Sequence, residues 1–464
     1  MNDYRNFIKG KHKTIQDSGF SVPASWLSPF LADWQAVLVE WALRKGRAAL
    51  FEECGMGKTL QQLAWADAVC RYTNGNVLIL APLAVARQTV AEGAKFGIEV
   101  NYARDAGQVR PGITVTNYER MHLFDSSGFA GVALDESSIL KALYGKTKTR
   151  LVDAFSRTPY RLCCTATPAP NDYVELGNHV EFLGIMSTME MLSRWFINDG
   201  FESGKWRLKR HAADDFWDWA STWAISAYTP SDVGEYDDSG FVLPERRVFE
   251  HHVAVENEYC SNGMLINMHR GSASHIKKEM RNSIGARVER AAGLVGDMDG
   301  DDCVVWCELN EESTALCRAI PGAREITGSM DLDRKEALLD AFSSGDLAVL
   351  VTKPRIAGFG LNWQHCRNMI FVGCSYSFEA RYQAVRRCWR FGQTRTVHDH
   401  VVMAGREAMI FAAVKEKERK FMDMRSNLAG AFRRAAYSIS GKGAMRTYQG
   451  SEISLPRFLH GRAV

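Results

Sequence analysis

Nine short, almost uninterrupted apolar runs divide the chain, and between them lie stretches with helical patterning. In the first half the runs are Ala48–Phe51, Val77–Ala81, Ile113–Thr116, Val132–Leu134 and Leu162–Thr165; in the second they are Cys303–Cys307, Ala348–Thr352, Met369–Val372 and Val397–Met403. Runs this short and continuous are what parallel strands buried on both faces require. Parallel strands need crossovers, so strands and helices must alternate in layers. Two such sets predict an α/β chain with two parallel-sheet lobes. The length of 464 residues accommodates them, at ~150 residues per domain.

Composition narrows the classes. Apolar residues make up 46% and charged residues 24%, ordinary for a globular chain and unlike a disordered or collagen-like one. No run of ~18 uncharged apolar residues is present, so no membrane span is expected. The N-terminal stretch lacks the apolar core of a secretory signal, which reads as a protein that stays in the cytosol. Among eleven cysteines no pair has the two-residue spacing of zinc ribbons, so neither structural zinc nor a disulfide framework is expected. The net charge of +3 is uneven: residues 415–464 carry eleven Lys/Arg against four Asp/Glu. That excess reads either as a basic arm for a polyanion or as a solvated terminus.

Between the two sets of runs the pattern changes. Trp195, Trp206, Trp217, Trp219 and Trp223 crowd together around the basic knot Lys205–His211, and residues 230–244 are rich in turn formers. The expected organisation is a first lobe over 1–184, a helical, Trp-rich insertion and linker over 185–249, a second lobe over 250–414 and a basic tail over 415–464. The tryptophans read as packing rather than as base-stacking surfaces.

Three motifs carry chemistry. The sequence Glu52-Glu53-Cys54-Gly55-Met56-Gly57-Lys58-Thr59 follows the apolar run Ala48–Phe51 and precedes a helix with Leu60, Leu63 and Ala64 on one face. Gly55 and Gly57 allow backbone N–H groups to approach a phosphate, and the helix N-terminus adds partial positive charge. Lys58 would neutralise the β/γ oxygens, and the Thr59 hydroxyl would hold Mg²⁺. Glu52 stands where the full pattern has its first glycine. Asp135 and Glu136 end another apolar run; Asp135 would hold Mg²⁺ and Glu136 would activate water. In Gln383–Gln393, Gln383, Arg387 and Arg390 share one narrow helical arc while Ala384, Val385, Cys388, Trp389 and Phe391 cover the other side. Two outward guanidiniums suit transition-state charge at a γ-phosphate.

With these three motifs the chain resembles the superfamily 2 helicase-type ATPases, and more narrowly the Swi/Snf-type translocases. Leu31–Gln35 resembles the adenine-reading motif with Gln35 as reader, Leu80–Leu83 motif Ia, Thr116–Glu119 motif Ib, and Asp135–Lys141 motif II with its trailing lysine. Thr165–Asn171 resembles motif III, Gly358–Asn362 motif V and Gln383–Gln393 motif VI; Gly328-Ser329, Arg334 and the Leu243-Pro244 step also fit. The resemblance implies two RecA-like lobes with the helical insertion between them, and ATP and Mg²⁺ as cofactors. It implies nucleotide binding by Gln35, Gly55, Met56, Gly57, Lys58, Thr59, Leu60 and Gly360, and catalysis by Lys58, Glu136, Arg387 and Arg390. Pro82, Thr116, Lys141 and Asn362 would face nucleic acid, and Thr165, Ala166, Thr167 and Gln383 would couple the two sites.

The implied activity is an ATP-driven motor on double-stranded DNA, gripped through its backbone without sequence preference. The alternatives are a strand-separating helicase or RNA-stimulated ATPase, and a nucleotide-gated DNA-binding protein with little turnover. Ser138 departs from the histidine usual at the end of motif II. The short insertion resembles compact bacterial or phage members. Protein partners are not legible.

Overall fold

The computed structural model describes residues 17–142, 145–198, 206–254, 280–357 and 362–440. The first sheet takes its strands in the order β3 (Val100–Tyr102), β4 (Ile113–Asn117), β2 (Asn76–Ala81), β5 (Phe129–Asp135), β6 (Tyr160–Cys164), β1 (Arg47–Glu52) and β9 (Ala224–Ala227), all parallel. A short antiparallel pair, β7 (Phe196–Asn198) and β8 (Trp206–Leu208), stands apart. The second sheet is also parallel, in the order β10 (Arg246–Val253), β15 (Val397–Ala404), β14 (Asn368–Val372), β11 (Cys303–Cys307), β13 (Val349–Thr352) and β12 (Arg324–Glu325). The α/β class and the two parallel-sheet lobes are as the apolar runs required.

Both faces of each sheet are covered, which explains why the runs do not alternate with polar residues. Leu78 and Leu80 of β2 enter one core cluster, while Val77, Ile79 and Ala81 enter the cluster on the opposite face. In the second lobe, Val304 and Trp306 of β11 face one cluster and Cys303, Val305 and Cys307 the other.

Two segments differ from the boundaries read from sequence. The stretch 185–249 is not a free-standing insertion: β9, within it, is the edge strand beside β1, and β10 begins before its end. Its tryptophans complete the first-lobe core. Trp195 stacks on Trp219 at 4.3 Å, Trp223 packs edge-on against Trp219, and all three are buried. The stretch from 415 is not a tail in its described part. Glu407–Ser440 is one helix of 34 residues that leaves β15 and lies back on the first lobe. Val414, Phe421, Met424, Leu428 and Ala431 join the first-lobe core together with Phe378 and Tyr382 of the second lobe. Its cations meet acids of both lobes: Lys415 pairs with Glu250, Arg425 with Glu53 at 2.7 Å and Arg434 with Asp218 at 2.7 Å. The uneven charge thus serves, over 415–440, to dock this helix. Residues 441–464 lie outside the described residues.

Candidate nucleotide site

β1 delivers the chain into a tight loop that opens the helix Lys58–Thr73. Gly55 and Gly57 adopt φ of 96° and 79°, the left-handed region that favours glycine. At Gly57 space also demands it, since an added Cβ would stand 2.4 Å from Nε2 of Gln35. Gln35, in the helix Asp33–Lys45, is buried against this loop. Its Nε2 donates to the Met56 carbonyl at 2.8 Å, and its Oε1 accepts from the Ala32 N–H at 2.9 Å. Met56 and Leu60 are buried beneath the loop. Lys58 Nζ donates to the carbonyls of Glu52 and Glu53 at 3.0 and 2.9 Å. Burial pulls its pKa down, but Cys54, Glu136, Glu52 and Glu53 outweigh that and hold it above its ordinary value.

β5 ends at Asp135, and Glu136 follows at φ 51°, a strained conformation for a non-glycine residue and one that clusters at functional sites. Tyr118 anchors the corner by donating to the Asp135 carbonyl at 2.7 Å. Burial raises the pKa of both carboxyls. Repulsion by Glu136 adds to the rise at Asp135, while Lys58 and Arg387 oppose it at Glu136. From the end of β6, the Thr165 hydroxyl donates to Glu136 at 3.2 Å and accepts from the Thr167 N–H at 3.1 Å. Ala166 is buried between them. This carboxylate pair, Asp135 buried and Glu136 half-buried, beside a cation and a hydroxyl-bearing helix start is a donor set that fits a hard divalent ion.

The second lobe supplies the opposite wall through the helix Phe378–Cys388. Arg387 is buried, its Nε donating to the Gln383 carbonyl at 3.0 Å, and its charge reaches Glu136. Arg390, beside it, lies just past the helix end. Two details correct the helical arc. Arg387 does not stand out in solvent but is enclosed between the lobes, and Phe391, expected on the packed side, is 44% exposed. The helix stops at Cys388, so Phe391 turns to cover Gly55 and meets Phe241 at 4.8 Å. Gln383 is buried, and among the described residues its Nε2 has no hydrogen-bond partner.

Four residues that sequence reasoning passed over join this wall. The Glu53 carboxylate pairs with Arg386 at 3.0 Å and Arg425 at 2.7 Å, and accepts from the Tyr382 hydroxyl at 2.6 Å. Arg386 falls outside the arc of Gln383 and Arg387, and Arg425 was visible only as one charge in a basic stretch.

A second opening between the lobes, of about 370 Å³, is lined by Lys141, Asn171, Arg355, Tyr376, Glu379 and Lys417. Lys141 pairs there with Glu379. Of the other residues expected to face nucleic acid, Pro82 precedes the helix Leu83–Lys95 and is half-buried, and Asn362 is exposed. Thr116 is a correction: it is fully buried inside β4, because the strand is covered on both faces. Gly360 lies outside the described residues.

Residues 287–392, most of the second lobe, match the helicase conserved C-terminal domain. Over 41% of its length the chain is 27% identical to Helicase domino of Drosophila melanogaster, a match spanning 7% of that protein. Over residues 287–392 the chain is thus helicase-like. It is also 22% identical to protein p41 of Acyrthosiphon pisum secondary endosymbiont phage 1, over 80% of this chain and 90% of that one. Among solved structures it is similar to the Sulfolobus solfataricus SWI2/SNF2 ATPase core in complex with double-stranded DNA. There the identity is 17% and the TM-score 0.41, with 94% of this chain and 100% of that chain covered. No helix among the described residues is long and apolar enough to cross a membrane.

Proposed function

We propose that this chain is an ATP-driven motor that moves along double-stranded DNA. One observation carries the reading. The loop ending in Lys58 and the pair Asp135-Glu136 belong to one lobe, and Arg387 belongs to the other, on a helix whose Arg386 pairs with Glu53 of that loop at 3.0 Å. A site divided in this way makes hydrolysis depend on how the lobes meet, which is what a motor needs.

Gly55, Gly57 and the start of the Lys58–Thr73 helix would cradle the phosphates, with Lys58 leaving its two carbonyl partners for the β/γ oxygens. Thr59 and Asp135 would hold Mg²⁺, which when bound neutralises charge on the phosphates and orients them. Glu136 would take the proton of the attacking water, held in place by Thr165. Arg387 and Arg390 would offset charge at the γ-phosphate. DNA would lie along the second opening, where Lys141 meets backbone phosphate without reading bases.

The test is ATP turnover titrated with duplex DNA, single-stranded DNA and RNA at two salt concentrations. Duplex stimulation that weakens with salt is expected. Preference for single strands or RNA would move the reading to unwinding or RNA work, and absence of turnover to a nucleotide-gated binder. Lys58→Ala should abolish turnover while leaving duplex binding within about threefold, because phosphate contacts elsewhere supply that affinity. Displacement of a third strand from a triplex separates translocation from strand separation.

A further inference from the structure

Glu53 sits at the meeting point of three chain segments: the loop that opens the first-lobe helix, the second-lobe helix carrying Arg387, and the long helix Glu407–Ser440. Its carboxylate is buried and fully engaged. It accepts from the Cys54 N–H at 2.8 Å within its own loop, and from the Tyr382 hydroxyl at 2.6 and 2.7 Å. It also pairs with Arg386 at 3.0 Å and with Arg425 at 2.7 Å. Arg425 donates in turn to the Tyr382 hydroxyl at 2.9 Å and lies over the ring of Tyr228, from the linker after β9. Phe421, one turn before Arg425, packs on Phe378 and Tyr382 at 5.2 and 5.1 Å.

Arg386 and Arg387 are consecutive on one helix, so whatever fixes the first fixes the second. We propose that Glu53, clamped by Arg425 from the long helix, is a positioning residue that sets the register in which the second lobe presents Arg387 to Glu136. This rests on the hydrolytic reading above. The clamp touches no reacting group. Its carboxylate is bonded to the same loop that would hold phosphate, and Arg386 and Tyr382 tie that loop to the arginine helix. Arg386 takes one carboxylate oxygen and Arg425 the other, so the loop is held from the arginine helix and from the long helix at once. Misplacement of about 1 Å at a reacting centre costs roughly 10²-fold in rate, so a modest loosening of this register has a large effect on turnover.

The experiment uses the full chain with saturating duplex DNA and compares Arg425→Gln, Arg425→Lys and Tyr382→Phe with the unaltered protein. Each is measured for kcat, KM for ATP, affinity for a fluorescent ATP analogue, and amide hydrogen exchange. Arg425→Gln should lower kcat by ~10-fold or more, with analogue affinity within about threefold, the pattern of an interaction used only at the transition state. Arg425→Lys should recover part of the loss. Exchange should quicken together in residues 53–57 and 378–388. Unchanged or raised kcat in a folded Arg425→Gln protein, or a loss seen only in KM, overturns the inference. If Arg425→Gln does not fold, Arg425→Lys and Tyr382→Phe carry the same readings. If the unaltered protein turns over no ATP, the functional reading fails instead. The exchange data still decide the clamp: slow, unaltered exchange of 378–388 in the variants refutes it.

Discussion

Lys141 of the first lobe and Glu379 of the second form an ion pair across the cleft, 238 residues apart in sequence. Lys141 is 42% exposed and Glu379 10% exposed, so an incoming phosphate reaches the lysine first. Lys141→Ala should weaken duplex binding by ~3–10-fold and lower the slope of log affinity against log salt by about one. Affinity for ATP should not move. An unchanged salt slope, measured by fluorescence anisotropy, would remove Lys141 from the nucleic-acid surface.

Arg387 and Arg390 should separate from the loop residues in their kinetic signature. Alanine at either position should lower kcat by ~10³-fold or more, with a small change in KM for ATP, as for arginines that act on transition-state charge. Arg387 should show the larger effect, since it is the one whose charge reaches Glu136. Single-turnover kinetics check this; equal losses in KM and kcat would make the pair a binding feature instead.

Stability should depend on pH through Glu52, which is fully buried and whose carboxyl is raised from 4.5 to about 7, chiefly by burial. The folded chain keeps this proton up to about 7, whereas the unfolded chain loses it near 4.5. The contribution is therefore complete below the lower value and is lost as pH rises through the upper one. The loss from this group is up to ~3 kcal/mol. Glu53, held down to about 2, has the opposite sign: its contribution is present above its ordinary value and fades in acid. Glu52→Gln should flatten the melting-temperature profile between pH 4.5 and 7, measured by calorimetry without nucleotide; an unchanged slope would exonerate Glu52.

The long helix should be a structural part of the first lobe. Phe432 is 8% exposed and meets Trp41 edge-on at 6.3 Å. Phe432→Ala should destabilise by ~3–5 kcal/mol, the cost of emptying a buried aromatic site. The loss should show in first-lobe amides by hydrogen exchange, not only in the helix itself.

The lobes and most of the candidate site were legible for one reason. A strand covered on both faces writes its burial as a continuous apolar run, and a loop that must bend to φ 79° writes itself as glycine. β9 (AISA) and β10 (RRVFEHHV) gave no such signal: Ser226 interrupts the first, and the second is an edge strand with much of its surface exposed. Thr116 was misplaced because its motif position was followed over its place in the apolar run Ile113–Thr116, which already implied a strand covered on both faces. Glu53, Arg386 and Arg425 were invisible as a group: ion pairs spanning more than 300 residues leave no periodicity in the sequence.

The return of Glu407–Ser440 onto the first lobe also bears on synthesis. A ribosome would have delivered every strand of the first sheet long before Phe421, Met424 and Leu428 emerge to close its apolar face. Until then that surface stays uncovered in the nascent chain. Severing the gene between the two sheets should accordingly yield an amino-terminal fragment that is sticky and poorly behaved, one that improves when the missing helix is supplied in trans.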